Sequence, residues 1–172
     1  MPTKLFLKDL NQFLGKAALA TYAAGGAETT PERPGFRELE FAEGAWSYRD
    51  SYTGYLRSWG TELVRYNGEP VWNALYGGGM TVPYRADAAF AHRTFEFLKK
   101  ALSAGEKKEA FQPRGQKNFT DGYWEYQCDW DGDITEFIGH EAILYKGDIV
   151  FTHDFFGGLI VSDGSREEKS DE

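Results

Sequence analysis

The chain has 172 residues, 41% of them hydrophobic and 16% aromatic, which predicts a packed interior and excludes a disordered chain. A formal charge of −8 without a basic stripe argues against nucleic-acid binding. The single cysteine, Cys128, excludes an internal disulfide and a cysteine-based zinc site, and the three His residues lack ligand spacing, so no metal and no cofactor are expected.

The first predicted element is an amphipathic helix with Leu10, Phe13, Leu14, Ala17 and Ala18 at helical spacing, ended by Gly25-Gly26. No stretch here or later is apolar enough for a signal peptide or a membrane span, so no membrane association and a cytoplasmic location are expected. A loop from Thr29 to Gly35 leads into strands at Phe36–Phe41, Trp46–Tyr55, Glu62–Tyr66 and Pro70–Tyr76. Asn67-Gly68 predicts a tight hairpin, because both residues tolerate positive φ. A second helix spans Arg85–Leu102, with Phe90, Thr94, Phe97, Leu98, Ala101 and Leu102 inward and Gly105 as its stop. Strands return at Tyr123–Trp130, Glu141–Tyr145 and Ile149–Phe155, and Ser162–Glu172 reads as an acidic disordered tail.

The two halves repeat one another. Phe41, Gly44, Trp46, Tyr48 and Gly54 recur 78 positions later as Phe119, Gly122, Trp124, Tyr126 and Gly132. After a one-residue insertion, Gly60, Glu62, Tyr66, Gly68 and Val71 recur as Gly139, Glu141, Tyr145, Gly147 and Val150. The expected fold is α+β: two tandem units of one helix and three or four antiparallel strands, related by a pseudo-two-fold axis, each curled sheet covered by its helix. Repeat one covers about residues 5–80 and repeat two about 86–161, forming a single duplicated domain over 1–161. Strand phase places Trp46, Tyr48, Asp50 and Tyr52 on the buried face, with Arg49 on the other.

Thr21-Tyr22-Ala23 with Gly25-Gly26, the run Trp46 to Gly54, Pro70-Val71-Trp72 with Tyr76, Pro113-Arg114-Gly115, Gly139-His140-Glu141 and Gly157-Gly158 resemble the family DUF5680. The resemblance spans roughly Leu10 to Ile160. The family is a domain of unknown function that in some members follows a helix-turn-helix DNA-binding domain. The resemblance therefore implies a sensor or partner-binding role, although no DNA-binding segment is expected in this chain.

Several residues could carry chemistry. Asp50 is a carboxylate on an aromatic face, where the other half has Cys128; it is either a hydrogen-bonded buried acid or an acid–base group with a raised pKa. Glu62 and Glu141 occur in both halves and either satisfy turn amides or meet as a pair. His153 replaces Ala74, and its neighbour Asp154 points to the opposite face, which argues against a triad. Gly77-Gly78-Gly79 lacks the ending of a phosphate loop. Arg114 is placed to bind an anionic ligand or a carboxylate.

Three functions follow from these residues. The first is small-molecule binding in an aromatic cleft lined by Tyr48, Tyr52, Trp59, Trp72 and Tyr76, with Asp50, Glu62 and Arg114 as polar groups. The second is inhibition or regulation of a toxin or defence protein through the acidic exterior. The third is acid–base catalysis by Asp50, Glu62, Glu141 or His153.

Overall fold

The computed structural model describes residues 3–23, 26–104 and 110–162. The expected helix stops Gly25 and Gly105, and residues 163–172 of the acidic tail, lie outside the described residues. Helix α1 spans Lys4–Ala18 and begins where the Thr3 side chain accepts a hydrogen bond from the Phe6 amide at 3.2 Å. It continues into a π-helical turn, Leu19–Ala23, in which the Thr21 hydroxyl donates to the Ala17 carbonyl at 2.8 Å. Helix α2 spans Ala88–Ser103, and Asp87 caps it by accepting from the Phe90 amide at 2.8 Å. Arg85, expected as its first residue, instead closes a 3-10 turn over Val82–Tyr84, where Pro83 suits a first helical turn.

Eight strands follow the aromatic and β-branched runs: β1 (Arg37–Glu43), β2 (Trp46–Gly54), β3 (Arg57–Tyr66), β4 (Glu69–Met80), β5 (Asn118–Asp121), β6 (Trp124–Asp133), β7 (Glu136–Tyr145) and β8 (Asp148–Leu159). They form one antiparallel sheet in the order β1-β2-β3-β4-β8-β7-β6-β5. Two separate curled sheets were expected; instead β4 and β8 pair from Trp72–Leu159 to Met80–Phe151 and join the halves. Each of these strands is 12 residues long, and left apart each would expose a row of unpaired amides at a sheet edge. β3 begins at Arg57 rather than Glu62, since Gly60 interrupts the side-chain alternation but not the ladder. The Asn67-Gly68 hairpin forms as expected, with φ of 52° and 84°.

Both helices lie on the same face of the sheet. Phe13 of α1 stacks on Trp46 with centroids 5.5 Å apart, and Phe97 of α2 stacks on Trp124 at 5.5 Å. The core beneath them contains Tyr48, Val64, Trp72, Met80, Tyr126 and Phe155, all buried. The opposite face keeps Leu75, Phe156 and Ile138 exposed side by side on β4, β8 and β7. No helix among the described residues is long and apolar enough to cross a membrane.

Candidate functional site

Strand alternation delivers Asp50 to the covered face of the sheet, and the register sets Glu62 of β3 directly opposite it. Tyr76 of β4 leans back across Gly60. A Cβ on Gly60 would fall 2.4 Å from the Tyr76 hydroxyl, so only glycine admits this ring. The hydroxyl donates to Asp50 Oδ1 at 2.8 Å.

Arg114, from the segment between α2 and β5, ties the two halves of the sheet together. Its Nη1 donates to Glu62 Oε1 at 3.2 Å, while Nε and Nη2 donate to Glu141 Oε1 at 3.2 and 3.0 Å. The guanidinium carbon lies 5.1 Å from the centre of the Tyr76 ring. Glu141 is fully buried and accepts two more bonds, from the Tyr126 hydroxyl at 2.7 Å and from His153 Nδ1 at 3.1 Å. A carboxylate only accepts, so Nδ1 carries the imidazole proton and Nε2 is left with its lone pair. The Tyr126 hydroxyl in turn accepts from the Gly115 amide at 3.2 Å, which fixes the Arg114 segment against the sheet.

These contacts divide the acids electrostatically. Burial and the adjacent Glu62 carboxylate push Asp50 up to about 7. Glu62 is also raised by burial, with Arg114 opposing. Burial works against the Glu141 charge too, but Arg114 and His153 outweigh it and hold Glu141 at about 2. Burial lowers His153 although Glu141 favours its charged form, so the imidazole is neutral at pH 7. Cys128 is pushed up to about 12 by burial and by Glu141, which keeps it a thiol. Glu141 is therefore the committed partner of Arg114, and Asp50 is the acid poised near neutrality. Among the described residues no group of three or more His, Cys, Asp or Glu side chains is placed to hold a metal ion.

Two cavities flank this cluster. The larger, about 870 Å³, is lined by Tyr48, Asp50, Glu62 and Trp72 of the sheet, by Phe111 and Arg114 of the segment between α2 and β5, and by Leu14 and Leu19 of the N-terminal helical segment. The smaller, about 360 Å³, is lined by Asp50, Tyr52, Tyr76, Arg114 and His153 among others. Asp50 and Arg114 belong to both.

The structure thus gathers nine of the ten residues singled out from the sequence around one cluster or its cavities: Tyr48, Asp50, Tyr52, Glu62, Trp72, Tyr76, Arg114, Glu141 and His153. Trp59 is the exception. It lies 56% exposed on the opposite face, over Gly77, because it is out of phase with Gly60 and Glu62 on β3. Trp72, expected in the mouth, is buried, and its indole N–H donates to the Ile134 carbonyl at 3.0 Å. Asp154 pairs with His140 at 2.6 Å on the outer face, so the acid beside His153 is Glu141 of the next strand and not its sequence neighbour. Arg49 lies on the other face as expected; it ion-pairs with Glu38, Glu40 and Glu32. Tyr126 was not anticipated as a site residue. The alternation of Trp124, Tyr126 and Cys128 put it on the inner face, but only the register to Glu141's strand shows what its hydroxyl meets.

The chain matches the family described as Domain of unknown function (DUF5680) over residues 50–160. That stretch holds every member of the Asp50, Glu62, Arg114, Glu141 and His153 cluster. No curated protein and no solved structure matches the chain.

Proposed function

Because the chain belongs to the DUF5680 family, a domain of unknown function, we propose its role from the site alone: it binds a small amphipathic molecule in the larger cavity. One observation carries this proposal. Two carboxylates, Asp50 and Glu62, stand side by side on an apolar wall next to a cavity of about 870 Å³. Tyr76 and Arg114 each donate one bond to this pair, which leaves both carboxyls with further acceptor capacity beside the cavity, where a ligand donor can use it. A volume of this size falls within the range of about 300–1,000 Å³ usual for small-molecule sites. The apolar body of the ligand rests on Leu14, Leu19, Trp72 and Phe111, and its hydrogen-bond-donating head meets Asp50 and Glu62.

The duplicated architecture is part of the proposal. Several equivalences support two copies of one unit: the hairpin residues Asn67 and Lys146 at φ 52° and 54°, the strand irregularities at Val64/Arg65 and Ile143/Leu144, and the Trp46–Tyr66 and Trp124–Tyr145 ring pairs at 4.6 and 4.5 Å. On this reading Glu62 and Glu141 are the shared acids that one Arg114 bridges. Asp50 against Cys128, and Ala74 against His153, are where the copies diverge to make a site.

A second reading, acid–base chemistry at Asp50, is favoured by its carboxyl titrating at about 7. Both readings need the cavity occupied, so occupancy is the first test. A thermal-shift screen of amphipathic amines and alcohols against the wild type and Glu62→Gln checks it. Ligands that raise the wild-type melting temperature and act less on the variant support binding at the acids. Equal shifts in both proteins contradict it. Turnover of any such ligand, lost in Asp50→Asn, selects the second reading.

A further inference from the structure

We propose that the smaller cavity is a second binding site, selective for a neutral polyhydroxylated ligand of about monosaccharide size. It shares Asp50 and Arg114 with the larger cavity but is otherwise lined by different residues, and it does not depend on that one being occupied.

The first observation is His153. It is 5% exposed, lines the smaller cavity, and its Nε2 is buried without a hydrogen-bond partner among the described residues. Glu141 engages Nδ1 at 3.1 Å and fixes the tautomer, so Nε2 is an acceptor awaiting a donor. Buried acceptors are almost always satisfied, and this one belongs to a residue that lines a cavity, from which a ligand donor can reach it once the ring gives slightly.

The second observation is charge balance. Arg37 is paired with Glu28 at 3.7 Å and Lys99 with Glu96 at 3.0 Å, and all four residues line the cavity. Deeper in, Arg114 faces the carboxylates that bind it. Apart from Asp50, which takes up its proton near neutral pH, these charges are paired, and a neutral ligand is favoured over an ion. Hydroxyl groups suit what remains. An alcohol O–H donates to His153 Nε2 and to the Asp50 carboxylate, and its oxygen accepts when Asp50 is protonated. The rings of Tyr52 and Tyr76 line the same cavity and give the C–H side of a sugar or cyclitol apolar surface to rest on. A volume of about 360 Å³ holds one such ring and not an oligomer.

Imidazole-detected nitrogen NMR of the full chain tests this, with titrations of glucose, galactose and myo-inositol beside benzylamine and acetate. At least one polyol is expected to shift His153 Nε2 saturably while the Trp72 indole resonance, the reporter of the larger cavity, stays in place. His153→Asn keeps a donor near Glu141 and deletes the Nε2 acceptor, so it should weaken polyol binding about tenfold. If that variant does not fold, the wild-type titration decides alone. The proposal is overturned if no polyol gives a saturable shift at His153, or if benzylamine or acetate binds there in preference. A response confined to Trp72 supports the larger-cavity reading and overturns this one.

Discussion

Replacing Asp50 by Asn should make the protein less sensitive to alkaline pH. In the unfolded chain this carboxyl titrates near 3.8, and in the folded protein at about 7, because burial and Glu62 oppose its charge. Between these values the folded state keeps a proton that the unfolded chain has released. Stability therefore falls as pH rises through that window, and the loss is complete above the folded pKa. Three pH units at about 1.4 kcal/mol each give a full penalty of about 4 kcal/mol. Some of this is already present at pH 5, so the wild type should lose about 2–3 kcal/mol relative to Asp50→Asn between pH 5 and pH 8. The amide preserves the bond from Tyr76, and any fixed cost of the substitution cancels in the comparison across pH. Urea denaturation of both proteins at pH 5, 6, 7 and 8 measures the difference. Two stability curves that run parallel in pH would refute the placement of Asp50 as a strained buried acid.

Other substitutions probe the frame around it. Arg114→Met leaves Glu62 and Glu141 facing each other without their shared cation, and should cost about 3–5 kcal/mol in denaturant titration. Trp72→Phe keeps the ring but strands the buried Ile134 carbonyl, an expected loss of about 1–3 kcal/mol measurable by thermal unfolding. Gly60→Ala puts a methyl group into the Tyr76 ring and should cost about 1–3 kcal/mol. It should also displace the tyrosine from Asp50, visible as a downfield-to-random-coil shift of the Tyr76 hydroxyl proton.

The elements were legible where the physics is local. Helical spacing located both helices, and Asn67-Gly68 located its hairpin because a positive φ is a property of those two residues. Alternation along β2 put Asp50 on the covered face for the same reason. Pairing of β4 with β8 was not legible, since it depends on which edges meet after each half has formed. Strand β5 went unnoticed because its four residues, Asn118 to Asp121, show no alternation. Trp59 is expected in the aromatic cleft with Tyr48, Tyr52, Trp72 and Tyr76, whereas its phase against Glu62 on β3 sends it to the other face. Arg114 could be singled out from its turn, but its two carboxylate partners lie 52 and 27 residues away, and no local pattern encodes that convergence.

The most direct test is a crystal structure of the protein with a ligand taken from the thermal-shift screen. Electron density in the larger cavity with a donor atom within hydrogen-bond distance of Asp50 or Glu62 is the predicted result. A ligand bound to the exposed Leu75–Phe156–Ile138 face, with the cavity closed by Phe111 and helix α1, would contradict it.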